Sequence, residues 1–182
     1  MSITKQKQQT AYLALAETFD YTSPMQGPRI QKVIVSSGVG KKRDKKQLEL
    51  IEDRLAKITG QKPAPRSARA SIASFKVREG DTVGLQITLR GARMYDFLDK
   101  LIHIALPRTR DFRGLSPKAI DDMGNFTIGI KEHTIFPETS DEDLKDVFGF
   151  AVTIVTTAKT KPEAEAFLRH IGMPLIADAN KK

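Results

Sequence analysis

Positive side chains without a local counter-charge stand between Gly60 and Arg78. This stretch contains no Asp or Glu, and Ser, Ala and Pro separate its cations, which are Lys62, Arg66, Arg69, Lys76 and Arg78. Neighbouring cations repel one another, which costs free energy unless an anion neutralises them. The pattern predicts an arm that binds phosphate, and a solvated surface loop is the alternative.

The rest of the sequence offers no convincing catalytic or metal-binding set. The chain has no Cys, and its three His residues lack the spacing of metal ligands. The stretch SSGVGKK (36–42) lacks the first Gly and the hydroxyl residue of a nucleotide-phosphate loop. Its glycines, Gly38 and Gly40, fit either a tight turn or a turn that faces RNA phosphate. We therefore expect no enzyme, no cofactor and no metal.

The overall charge favours a polyanionic partner. Among 182 residues, 30 Lys and Arg oppose 22 Asp and Glu, which gives a formal net charge of +8. A surplus of this size is typical of proteins that bind nucleic acid. No apolar run reaches the roughly 20 residues that a membrane span needs, and the N-terminal stretch lacks the apolar core of a signal peptide. We expect a cytoplasmic protein without a membrane partner.

Periodicity in the sequence predicts helices and strands in alternation. Apolar residues at helical spacing predict four helices, over 3–19, 44–59, 91–106 and 161–171. Alternating or β-branched runs predict strands over 29–37, 85–90, 126–130 and 147–157, with an irregular or edge strand at 62–69. The last of the strong runs, 147–157, is long enough for the centre of a sheet. Thr160 and Glu163 predict a capping box at the last helix.

These elements predict an α+β fold. We expect an antiparallel or mixed sheet with helices packed on one face and the other face polar for RNA. A long basic loop, residues 71–84, lies between two strands. The prediction is one RNA-binding domain over 1–175, followed by a disordered tail at 176–182.

Two groups of polar residues have predicted roles in binding. The open sheet face is expected to carry Lys32, Ser36, Gln86, Thr88 and Arg90, a set suited to the RNA minor groove and backbone. An acidic segment, 137–146, would be repelled by RNA. It is either solvated or faces a basic protein partner.

Six stretches of the sequence together resemble one known family. They are GQKPAPRSARASIASFKVREGDTVG, TLRGARMYDFLDKLI, LPRTRDFRG, GNFTIGIKEHTIFPE, IVTTAKT and IGMPL. In this order, over residues 10 to 175, they resemble the bacterial large-subunit ribosomal protein L5 family, the 5S-rRNA binders. One departure is Ser36-Ser37, where the family usually has Asn-Met. Serine keeps a hydrogen-bond donor and acceptor but has a shorter reach than asparagine.

The resemblance implies a structural role in the large ribosomal subunit. The implied partners are 5S rRNA, large-subunit rRNA, P-site tRNA, the small-subunit protein S13 and other proteins of the central protuberance. The resemblance implies rRNA contacts at Lys32, Ser36, Gly38, Gly40, Gln61, Lys62, Arg66, Thr88 and Arg90. It implies tRNA contacts at Arg69, Ser71, Lys76 and Arg78, and protein contacts at Glu138, Asp141, Glu142 and Asp143. The alternative is an enzyme that processes nucleic acid, but the sequence offers no set of catalytic residues for it.

Overall fold

The computed structural model describes residues 2–40, 45–139 and 147–176. Within them the chain forms four α-helices: α1 (Ile3–Phe19), α2 (Lys45–Thr59), α3 (Gly91–Lys100) and α4 (Lys161–Ile171). It forms five strands: β1 (Ile30–Gly38), β2 (Ala64–Ser67), β3 (Thr82–Leu89), β4 (Phe126–Ile130) and β5 (Phe150–Thr156). The predicted α+β class is confirmed.

The strands form one antiparallel sheet in the order β2-β3-β1-β5-β4. The segment 62–69 supplies the edge strand β2, as predicted, because proline has no N–H for a ladder on both sides. The long run 147–157 does not take the centre of the sheet. The central strand is β1, and β5 lies beside it. The run 147–157 forms only the seven-residue strand β5, whereas the central strand β1 is the longest, with nine residues.

The chain divides into two compact units. Unit 1 comprises Met1–Val33, Arg90–Ile128 and Thr153–Lys182, and unit 2 comprises Ile34–Leu89 and Gly129–Val152. The prediction of one domain over 1–175 stays a prediction, as does the packing of all helices on one sheet face.

Helix packing forms the core of unit 1. Helix α1 packs on α3 and α4, and the apolar stripes of α3 and α4 are buried, including Phe97, Leu98, Phe167 and Leu168. Helical spacing predicts an apolar stripe on α1 formed by Tyr12, Leu15, Ala16 and Phe19. The buried apolar residues are instead Ala11 and Leu15, so the stripe is shifted.

In unit 2, helix α2 packs on β3 and on the turn Pro137–Thr139. Its residues Ile51, Leu55 and Ile58 are almost completely buried, as their helical spacing predicts. The helix ends before Gly60, which has a φ of +68° in the left-handed region. This packing places the end of α2 beside the start of the basic segment.

The predicted capping box at α4 is wrong in its geometry. Thr160 makes no side-chain capping bond. Glu163 instead accepts hydrogen bonds from the Lys159 N–H (2.8 Å) and the Tyr21 hydroxyl (2.5 Å). Burial raises the pKa of Tyr21, and the hydrogen bond and charge of Glu163 raise it further. The Glu163 carboxylate therefore bonds to a tyrosine far away in sequence and does not complete the predicted capping box with Thr160.

The predicted tail begins with a hydrogen-bonded residue. The Ile176 N–H donates to the Leu115 carbonyl (2.9 Å), and the Ile176 carbonyl accepts from the Arg169 guanidinium (2.8 Å). Ile176 is thus hydrogen-bonded at both its N–H and its carbonyl, and the predicted disorder of 176–182 stays a prediction. Residues 177–182 lie outside the described residues.

Candidate nucleic-acid interface

Strand alternation gives the sheet an open face. In β1, Val33, Val35 and Ser37 are buried, whereas Lys32 and Ser36 are half-buried on the opposite side. Since successive side chains of a strand point to opposite faces, Lys32 and Ser36 share the open face. Ile34 lies between them and is half-buried, so this face is not uniformly polar.

Strand β3 repeats this alternation. Leu85, Ile87 and Leu89 are buried, and Gln86 and Thr88 are half-buried on the opposite side. Gln86 and Thr88 therefore lie on one face of unit 2, as predicted. Arg90 follows the strand as an exposed residue and belongs to unit 1, as does Lys32.

Arg66 is held over this face by two features of the β2–β3 pair. It stands opposite Gly84 in the register, and its Nε donates to Gln86 Oε1 at 2.6 Å. A Cβ added at Gly84 would lie 3.3 Å from the Ser37 carbonyl oxygen and 3.9 Å from Arg66 Cβ. The contact with Ser37 is the tighter one, so Gly84 allows close approach to the backbone of β1 and is not required by Arg66. The hydrogen bond through Nε leaves the terminal amino groups of Arg66 to face an anion.

Gln61 and Lys62 join the end of α2 to this region. Gln61 donates through Nε2 to the Thr88 carbonyl at 3.4 Å, which ties it to β3. Lys62 forms an ion pair with Glu52 at 3.3 Å, and its side chain is 84% exposed. An exposed ion pair contributes at most about 1 kcal/mol. A phosphate therefore competes for this lysine at little cost.

Gly38 is the last residue of β1 and Gly40 follows it in a turn, but neither has a left-handed backbone conformation. The Val39 N–H continues the ladder by donating to the Val83 carbonyl (2.9 Å). A Cβ added at either glycine would meet no atom within 4 Å among the described residues. The local fold therefore does not require glycine here. A glycine in a strand that packing does not require often marks the close approach of a ligand.

The basic arm is a hydrogen-bonded hairpin. The Ala68 N–H donates to the Asp81 carbonyl (2.8 Å), and Ile72 and Val77 exchange two backbone bonds of 2.9 and 3.2 Å. A short turn, Ala73–Phe75, connects Ile72 to Lys76, whose φ is +51°. The predicted tRNA-contacting residues all lie exposed on this hairpin, at Arg69, Ser71, Lys76 and Arg78.

Phe75 is a further residue of the arm, without a role among the sequence-based predictions. It lies at the tip of the arm and is 72% exposed. Exposed aromatic rings beside cations stack on unpaired bases, in addition to the charge contacts. The signal was present in the sequence, since Phe75 is the single aromatic residue of the cationic stretch.

The acidic segment is described only at its start. Glu138 is exposed in the turn Pro137–Thr139 of unit 2. Asp141, Glu142 and Asp143 lie outside the described residues. Their predicted contact with a protein partner stays a prediction.

Among the described residues, no three His, Cys, Asp or Glu side chains lie together in a group that could hold a metal ion. The same part of the chain has no helix both long enough and apolar enough to cross a membrane. The described interface instead combines an open sheet face, a glycine pair with free space and a cationic hairpin. This combination is typical of nucleic-acid-binding proteins that recognise their ligand by its backbone charge and its shape.

Comparison with known proteins identifies the family. The family model for ribosomal protein L5 matches residues 23–78, and a second model, for the C-terminus of the same ribosomal protein family, matches residues 82–175. A large ribosomal subunit protein uL5 from Heliobacterium modesticaldum is 48% identical over 180 residues, covering 98% of this chain and 100% of the relative.

Two further proteins with the same name agree with this result. The protein from Rubrobacter xylanophilus is 51% identical over 162 residues, covering 88% of this chain and 90% of the relative. The protein from Anaeromyxobacter sp. (strain K) is 47% identical over 161 residues, covering 88% of this chain and 89% of the relative. The chain belongs to the ribosomal protein L5 family, whose members are structural components of the ribosome and not enzymes.

Proposed function

We propose that this chain is a structural constituent of the large ribosomal subunit that binds 5S rRNA and attaches it in the central protuberance. Family membership supports the coarser part, a large-subunit protein in contact with rRNA and other ribosomal proteins. The observation that carries the finer part is Arg66, held by Gln86 at 2.6 Å on the open face of unit 2.

The proposed mechanism combines charge with shape. Arg66 and Lys62 neutralise phosphates and release condensed counterions, which drives binding and makes it sensitive to salt. Ser36 and Thr88 then supply hydroxyl groups to the backbone or to 2′-hydroxyls in an RNA minor groove. The RNA backbone approaches β1 at Gly38 and Gly40, where the described residues leave room for it. Lys32 and Arg90, which belong to unit 1, are further proposed rRNA contacts, and family resemblance supports them.

Two further contacts complete the proposal. The exposed arm reaches the P-site tRNA through Arg69, Ser71, Lys76 and Arg78, with Phe75 at its tip. The acidic segment at Glu138, Asp141, Glu142 and Asp143 meets the small-subunit protein S13, since opposite charge steers such a contact. Family resemblance supports both assignments.

The first test is binding of the purified protein to labelled 5S rRNA across a salt series, with tRNA and random duplex RNA as competitors. We expect affinity that falls with salt and is competed away by 5S rRNA alone. Equal competition by every RNA would show charge without specificity. The assignment of the sheet face would then be wrong.

The second test compares Arg66→Gln with Lys57→Gln in the same salt series. Lys57 is an exposed lysine of unit 2, paired with Asp53 at 2.9 Å and outside the proposed site. We expect Arg66→Gln to weaken 5S rRNA binding about tenfold and to lower the salt slope by about one, because one phosphate contact is lost. Lys57→Gln should change neither quantity. Equal effects of both variants would show that Arg66 acts only through the general positive charge of the protein and not through a specific phosphate contact.

A further inference from the structure

A second group of cations lies in unit 1, on the segment 107–118, which we call the 107–118 loop. It carries Arg108, Arg110, Arg113 and Lys118 and a single carboxylate, Asp111. All four cationic residues are exposed, and none of them forms an ion pair with a carboxylate of the described residues.

Backbone hydrogen bonds fix the start of this loop. The Arg108 N–H donates to the Ala105 carbonyl (3.2 Å), and the Thr109 N–H donates to the Leu106 carbonyl (3.1 Å). These bonds continue the helical turns that follow α3. The first arginine of the loop is therefore carried on a helical end.

A second set of bonds fixes the far end of the loop. The Leu115 N–H donates to the Pro174 carbonyl (2.8 Å), and the Leu115 carbonyl accepts from the Ile176 N–H (2.9 Å). Gly114 has a φ of +101°, and a Cβ there would lie 2.9 Å from Ile176 Cγ1. The turn therefore packs tightly on the segment after α4. A loop held at both ends loses little conformational entropy when it binds a ligand.

The chemistry of the loop suits phosphate. Three of its four cations are arginines, and the planar guanidinium group donates two parallel hydrogen bonds to phosphate oxygens. The loop has no alternating polar strand face of the kind that β1 and β3 present. Contacts between arginine and phosphate position an RNA backbone without reading its bases.

We propose that the 107–118 loop is a second RNA-binding surface, which holds the phosphate backbone of large-subunit rRNA. The inference rests on the proposed function, because a protein that attaches one RNA to another needs a surface for each of them. The arm, Arg66 and the open face around Gln86 and Thr88 belong to unit 2, whereas the 107–118 loop belongs to unit 1. The two groups of cations are thus built on different parts of the chain.

Paired charge variants test this proposal. Arg110→Gln/Arg113→Gln removes two loop cations, and Lys5→Gln/Lys159→Gln removes two exposed cations elsewhere in unit 1. The measurements are binding of each variant to a large-subunit rRNA transcript and, separately, to 5S rRNA, with a thermal unfolding curve for each variant.

We expect the loop variant to lose about tenfold or more in affinity for large-subunit rRNA and about two in its salt slope. Its affinity for 5S rRNA should stay within about twofold, and the control variant should keep both affinities. Equal losses in the two variants would overturn the proposal in favour of general charge. Loss of 5S rRNA binding by the loop variant, with the control variant unaffected, would also overturn the proposal. Failure of the unmodified protein to bind 5S rRNA would contradict the proposed function instead.

A tethered probe supplies an independent measurement. The chain has no cysteine, so Ala119→Cys places one thiol on an exposed residue directly after the loop. Iron tethered there should cleave large-subunit rRNA and leave 5S rRNA intact in assembled subunits. Iron at Leu13→Cys, a position that is 75% exposed on α1, reports the background. Cleavage confined to 5S rRNA, or no more than at Leu13, would contradict the proposal.

Discussion

Two glycines of this chain, Gly38 and Gly124, differ in whether the fold requires them. Gly38 lies in β1 without a positive φ, and a Cβ there would meet open space. Gly124 has a φ of +75°, and a Cβ there would lie 2.7 Å from the Ala158 carbonyl oxygen. The first glycine is therefore dispensable for the fold, and the second is required by it.

Substituting alanine at each glycine tests this difference. We expect Gly38→Ala to change the free energy of unfolding by less than about 0.5 kcal/mol and to weaken 5S rRNA binding, because the added methyl group meets the RNA backbone. Gly124→Ala should cost about 2 kcal/mol or more through strain and contact with backbone. Denaturant unfolding and RNA binding measure the two effects. Unchanged RNA binding by Gly38→Ala would argue against close approach at β1.

At the scale of elements, the arm is an appendage to the β2–β3 pair. Its strands are closed at the base by the bond between Ala68 and Asp81, and its tip residues Ile72 and Phe75 are exposed at 46% and 72%. The arm therefore buries little apolar surface, and its removal should leave the cores of both units intact.

Replacing residues 69–80 with Asn-Gly tests the role of this element, because that dipeptide favours a tight hairpin turn. We expect stability and 5S rRNA binding to be retained, and P-site tRNA to dissociate faster from ribosomes assembled with the shortened protein. The matched control is Ile72→Ser, which keeps the arm and its cations. Unchanged tRNA dissociation with the shortened arm would rule out the proposed tRNA contact.

At the scale of the whole molecule, the surplus of positive charge makes acid conditions unfavourable. The net charge of +8 rises as carboxylates are protonated, and self-repulsion rises with it. Asp99 adds a specific contribution, since it accepts from the N–H groups of Ile3 (3.0 Å) and Thr4 (2.9 Å) at the start of α1. Burial acts to raise the pKa of Asp99, but hydrogen bonds from Ser2, Thr4 and Ile3 outweigh burial and lower it.

Because the folded-state pKa of Asp99 is lowered, its stabilising effect is present above the ordinary carboxyl pKa of about 4 and is lost as the pH falls through the folded value. We expect Asp99→Asn to cost about 1–2 kcal/mol at pH 7 and progressively less below about pH 4. Denaturant unfolding from pH 7 to pH 2 measures this difference. A cost that stays constant over the whole range would assign it to shape and not to charge.

Local patterns in the sequence were sufficient for much of the candidate site. Alternation predicted which side chains of β1 and β3 share the open face, because the period of a strand is fixed by its backbone. The absence of acidic residues predicted the cationic arm. The same reasoning missed Phe75, since burial of a single aromatic residue depends on what packs against it.

The sequence by itself determined the α+β class, the faces of most helices and strands and the basic character of the molecule, because these depend on neighbours along the chain. Only the tertiary structure decided that β1 takes the centre of the sheet and that Tyr21 binds Glu163. It alone showed that Leu115 pairs with the segment after α4 and fixes the 107–118 loop. These contacts join residues far apart in sequence, and local spacing carries no information about which distant group fills a given position.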